Sequence, residues 1–124
     1  MKDIQERADL EKLLWKFYET AIADDEIGHH FIDLNLDKHI PVITDFWEKV
    51  LFGRPVYFNS PLVPHIDLHE KSPLLPDHFA RWIEIFYATL DEFFAGEVTE
   101  EAKMRAAFVA RNMSNRLNGA FMHA

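Results

Sequence analysis

Apolar residues recur along this chain at helical spacing. Leu10, Leu13, Leu14, Phe17, Tyr18, Ala21 and Ile22 fall on one face of a period of about 3.6 residues. They predict a helix from Asp9 to about Ala23, with Asp9 as N-cap and residues 3 to 8 adding a short frayed turn. Gly28 then breaks the chain, and His29-His30-Phe31 follows in a corner. Val42, Ile43, Phe46, Trp47, Val50 and Leu51 predict a second helix over Asp37–Phe52, capped by Asp37 and stopped by Gly53 as a left-handed residue. Pro41 falls near its start, where a missing N–H does least harm. Residues 54 to 76 follow Gly53, carry five of the six Pro and read as irregular, with one or two short helical turns around Pro64-His65-Ile66-Asp67-Leu68-His69. A third long helix runs from Pro76 to Gly96 on Phe79, Trp82, Ile83, Phe86, Leu90, Phe93 and Phe94. A fourth starts with Thr99 as N-cap and Glu100 and Glu101 in its first turn. It runs to about Asn118 on Ala102, Ala106, Val109, Met113 and Leu117, with Arg111 and Arg116 toward its C-terminal end, a charge order that suits the helix dipole. No run reads as a strand. The expectation is an all-α chain, 1–124 forming one domain, with four main helices in two pairs.

Composition narrows the function. The 124 residues include 13 basic and 21 acidic side chains, a formal net charge of −8. No basic stripe is present, so nucleic acid is not expected as a partner. The absence of cysteine removes disulfides, thiolate metal sites and iron–sulfur clusters. No apolar run reaches the roughly 18 residues of a membrane span, so no membrane insertion is expected. Met1 to Leu10 is charged and does not read as a secretory signal, which makes a cytoplasmic location the expectation. Eleven Phe and three Trp exceed what a bare helical bundle of this size needs, as if something large and flat shares the core.

No Gly-rich phosphate loop, nucleophile elbow or zinc-protease motif occurs, and no general acid–base pair stands out among the carboxylates. The seven His are the richer signal. His29, His30, His78 and His123 lie at corners, helix starts or the tail and read as surface or capping groups. His65 and His69 share a metal-chelating spacing, but no third ligand matches them, so one inward and one solvated ring is the simpler reading. His39 and His65 lie in apolar settings on different elements and could flank a flat cofactor. Tyr18 adds a phenol on the buried stripe of the first helix, and Trp82 an indole N–H that only donates. An apolar, donor-rich pocket with one nitrogen ligand fits a haem site for a diatomic gas. An aromatic core with incidental polar tips fits the same residues.

The chain resembles a truncated haemoglobin of the third group, from about Asp9 to Leu117. The resemblance is carried by Phe17-Tyr18, by Ile27-Gly28-His29-His30-Phe31, and by His39-Ile40-Pro41 followed by Asp45-Phe46-Trp47. Tyr57 ahead of Pro61, Pro64-His65-Ile66-Asp67-Leu68 and His78-Phe79-Ala80-Arg81-Trp82 complete it. The double-glycine motifs of other truncated groups are missing, and Asn59-Ser60 stands where relatives often carry Gly. The resemblance implies a shortened globin, a two-over-two helical sandwich enclosing haem b. It implies His65 as the iron ligand and Tyr18, His39 and Trp82 as the distal ligand-binding residues. Phe31 would pack on the porphyrin, and Phe46 and Trp47 would line or back it. Tyr57, His78 and Arg81 are its candidates for the propionates. It further implies O2, CO or NO as ligands and an external reductase, with NO dioxygenase or peroxidase-like chemistry rather than bulk transport. A haem-based sensor, a haem-free partner-binding helical module and a non-haem metal site at His65 and His69 are the alternatives.

Overall fold

The computed structural model describes residues 1–57 and 61–119. Asn59, Ser60 and His123 therefore lie outside the described residues. Five helices are present among them: α1 (Arg7–Ile22), α2 (Leu36–Phe52), α3 (Leu62–Lys71), α4 (Pro76–Phe93) and α5 (Glu97–Leu117). A short 3-10 turn, Gly28–Phe31, follows α1. No strand occurs among the described residues, and no helix there is long and apolar enough to cross a membrane.

The helices form two pairs, α1 with α2 and α4 with α5, laid over one another through α1–α4 and α2–α5 packing. This is the expected two-over-two arrangement. α3 makes its main helix contact with α5. The pairs close on Leu10, Leu13, Leu14, Phe17 and Ala21 of α1, Phe86 and Leu90 of α4, and Ala102 and Ala106 of α5. The two Ala of α5 carry little bulk, so its backbone can approach α4 and the rings beyond. Phe86 is the hub. Its ring stacks on Trp47 at 5.2 Å and on Trp82 at 5.2 Å, and meets the edge of Phe17 at 5.6 Å. Burying each such ring contributes about 1.5–3 kcal/mol. Ile22 and Val42, expected on apolar faces, are exposed.

The helix starts differ from expectation in an instructive way. Asp9 is not the N-cap of α1 but lies inside its first turn, where Oδ2 accepts from the N–H groups of Gln5 (2.9 Å) and Glu6 (3.2 Å). Asn35, not Asp37, caps α2, its side chain accepting from Lys38 N–H. Gly53 ends that helix with φ 69°, as expected. Gly96 does not end α4. It precedes α5, whose N-terminus is capped from the far end of the sequence. Asp3 accepts from Val98 N–H (2.8 Å), Thr99 N–H (2.8 Å) and Thr99 Oγ1 (2.7 Å). Thr99, expected as the N-cap, is fully buried inside the first turn. The anticipated short turns around His65 are a continuous helix of ten residues. Pro64 falls in its first turn, where the backbone N–H has no intrahelical partner to lose.

Candidate functional site

A cavity of about 680 Å³ opens between α2 and α3, with α1, α4, α5 and the 3-10 turn completing its wall. Its size lies within the ~300–1,000 Å³ usual for cofactor and ligand pockets. The wall is mainly apolar and aromatic, with a few polar groups set into it. Tyr18, Phe31, His39, Phe46, Trp47, His65, His78 and Trp82 all lie on it. Tyr57 and Arg81, expected as propionate candidates, do not. Tyr57 is buried with its ring against the edge of Phe46 at 5.4 Å. Arg81 turns to Asp24 instead, donating from Nε (2.9 Å) and Nη2 (2.7 Å), so its charge is spent fastening α4 to the corner after α1.

His65 sits one turn into α3. Its Nδ1 is 2.7 Å from the carbonyl oxygen of Pro61. A carbonyl can only accept, so Nδ1 carries the proton and Nε2 keeps its lone pair. Burial pushes the ring's pKa down, and the Pro61 bond offsets part of that. The result is a neutral imidazole with one free ligating nitrogen. His69 is not on the wall; its Nδ1 accepts from Leu74 N–H at 2.8 Å and ties off the end of α3. The two rings of the chelating spacing thus have separate duties.

From α1 and α2, the Tyr18 hydroxyl and His39 Nε2 meet at 2.7 Å. Gly28 helps bring α1 and the corner together: any side chain there would run into the carbonyl of Ile22. Burial raises the Tyr18 phenol, so it stays protonated. Burial and the nearby His65 lower His39. Phe31 and His39 both meet the Tyr18 ring at near right angles, with centroids 5.7 and 5.1 Å away. Trp82 lines the same space, and its indole N–H has no hydrogen-bond partner among the described residues.

No protein-family model matches the chain. A group 3 truncated hemoglobin of Campylobacter jejuni is 29% identical over 112 residues, which span 86% of each sequence. The crystal structure of a group III truncated hemoglobin from Campylobacter jejuni matches with a TM-score of 0.82 and 27% identity, covering 94% of this chain and 95% of that one. The chain has the fold of a group III truncated haemoglobin. On this truncated-globin frame, α1 and α2 supply the Tyr18–His39 side of the cavity and α3 supplies His65.

One feature of the cavity was not legible in the sequence. His30, expected at the surface, is buried. Its Nε2 lies 3.0 Å from His78 Nδ1, and its Nδ1 lies 2.8 Å from Ser72 Oγ. Burial, with His29 and His78 beside it, pushes His30 down to about 4. His78 does cap, as expected, accepting from Leu75 N–H at 3.2 Å. The His29-His30 doublet was visible in the sequence, but its meeting with a residue 48 positions away was not.

Proposed function

We propose that this truncated globin holds haem b in the cavity between α2 and α3, with His65 as the iron ligand, and binds the diatomic gases O2, CO and NO there. The observation that carries the reading is the His65–Pro61 bond. It fixes the tautomer and orientation of a neutral imidazole on the wall of an aromatic cavity of suitable size. Similarity in sequence and fold to group III truncated haemoglobins supports it. Haem, when bound, supplies a redox-active iron that takes a gas ligand.

The chain's own residues do the rest. Pro61 O accepts from His65 Nδ1 and makes the ring a better electron donor. Phe31, Phe46 and Trp47 offer flat apolar surface and keep water out. Tyr18 and Trp82 provide O–H and N–H donors for a ligand carrying partial negative charge. His39 holds the Tyr18 hydroxyl and acts as a gate beside it. His78 stands where a propionate can be met, and Tyr57 backs Phe46. Arg81 fixes the corner that carries Phe31. Donors that retain a ligand suit gas chemistry, such as NO oxidation or peroxide activation, better than bulk transport. Turnover then draws electrons from a separate reductase.

The test is the ultraviolet–visible spectrum of the purified protein, oxidised, reduced and with CO. A strong Soret band that shifts with CO is expected, and His65→Gly should abolish or displace it. A folded, helical protein that takes up no supplied haem overturns the proposal.

A further inference from the structure

The cluster of His29, His30 and His78 lies at the join of the 3-10 turn, the segment after α3 and the start of α4. Each ring offers a ligand nitrogen, and all three nitrogens lie within 4.8 Å of one another. From these distances we propose that His29, His30 and His78 form a second metal site, for a divalent transition cation of the zinc, copper or nickel kind. The three rings share the cavity wall with His65 but none of its atoms, and an ion held there takes His78 from the propionate role given to it above.

Three imidazoles are a recurrent ligand set for such ions, leaving a fourth position for water. In a tetrahedral zinc site with bonds of about 2.0–2.1 Å, ligand nitrogens stand about 3.3 Å apart. His30 Nε2 and His78 Nδ1 are already 3.0 Å apart, and to ligate, His78 Nδ1 gives up the exposed 3.2 Å bond it accepts from Leu75 N–H. His29, beside His30 with ring centroids 4.0 Å apart, has a nitrogen within 4.8 Å of the other two and closes the set by turning its exposed side chain. His29 is exposed, which gives an ion a way in, and His30 is buried, which gives the site a fixed wall.

Ser72 supplies the orienting partner that ligating histidines usually have. Its Oγ lies 2.8 Å from His30 Nδ1. With the proton on Nδ1, the hydroxyl oxygen accepts it and Nε2 is left to ligate. Without an ion, the Ser72 O–H donates to Nδ1 and His30 Nε2–H points at His78. The cation replaces that proton, which moves across the ring to Nδ1, and the net charge of the imidazole is unchanged.

The test is calorimetric titration of Zn²⁺ into the purified protein, with haem content held equal across variants and helix content checked by circular dichroism. One ion per chain is expected. His29→Gln, at an exposed position that packing does not need, and His78→Gln should each weaken binding by at least about tenfold. Ser72→Ala keeps all three ligands and should weaken binding by about tenfold with the stoichiometry retained. His69→Gln should change nothing. Absence of binding, unchanged affinity in the His29→Gln/His78→Gln double variant, or a loss that follows His69→Gln instead, overturns the proposal.

Discussion

Replacing Tyr18 by Phe removes one oxygen atom from the cavity wall and leaves the ring in place. The edge contacts to Phe17 at 5.1 Å and Phe31 at 5.7 Å survive, so the fold should lose only the net value of one hydrogen bond, about 0.5–1.5 kcal/mol. The effect on gas release should be larger. The hydroxyl has one hydrogen and sits 2.7 Å from His39 Nε2. If Tyr18 donates to His39, the cavity receives only lone pairs. If His39 carries its proton on Nε2 and donates to Tyr18, the phenol hydrogen is free to meet a ligand. The proposed function requires the second arrangement. A donor aimed at a partly charged O2 is then worth about 1–3 kcal/mol, or about five- to 150-fold in dissociation rate. CO carries less charge and should change far less. Stopped-flow ligand replacement on the haem-loaded, reduced protein measures both rates. Because His39 sets the direction of the Tyr18 hydrogen, Tyr18→Phe and His39→Ala should also be non-additive for O2 release. Equal acceleration for both gases, or strict additivity, would refute this reasoning.

Further expectations follow from other contacts. As a gate, His39 should govern entry, so His39→Ala should change gas association rates more than dissociation rates, measured by flash photolysis. Asp3→Ala should cost about 1–2 kcal/mol in urea unfolding at pH 7, because α5 loses its cap and the buried Thr99 hydroxyl its partner. For Asp3, burial pushes the carboxyl up, but bonds from Thr99, Val98 and Ile4 outweigh it and hold it below its ordinary 3.8. A depressed folded-state value stabilises above the unfolded value and is lost as pH falls through the folded one, so wild type and Asp3→Ala should converge below about pH 4. Glu48, buried between Arg7 and Arg54, is lowered in the same sense by Arg7 first and Arg54 next, against burial. Glu48→Gln should destabilise at neutral pH by about 1–3 kcal/mol, with the difference shrinking in acid; an undiminished difference at pH 3 would contradict the ion-pair account.

What was legible in the sequence was local. The stripe from Leu10 to Ala21 and the ring series from Trp82 to Phe94 announce helices because a side-chain period acts over four residues. The left-handed Gly53 and the first-turn tolerance for Pro76 are equally local. Tyr18, His39, His65 and Trp82 could be picked out because each is a polar tip in an apolar setting, and all four reach one cavity. α3 was underestimated because Pro61 and Pro64 punctuate its start and its surfaces carry few deeply buried side chains. The remaining misses are long-range. Thr99 looked like a cap because nothing nearby shows that Asp3 does the capping. Arg81 looked available until Asp24 arrived beside it, 57 positions away in sequence. His30 looked like a surface residue until Ser72 and His78 closed over it.

α3 has a consequence for the order in which the protein comes apart. It carries His65, yet its main helical neighbour is α5, and Asn118 at the end of α5 holds the segment that follows it through a bond to Leu74 O at 3.0 Å. The other four helices share the interlocked rings and small residues of the central core. In hydrogen-exchange terms α3 should be the least protected of the five helices, opening at a fraction of the global free energy while the two helix pairs stay closed. That opening is a doorway on the His65 side. A ligand held by His65 bars it in proportion to its own affinity, so the amides of α3 should be the ones most slowed by loading the cavity.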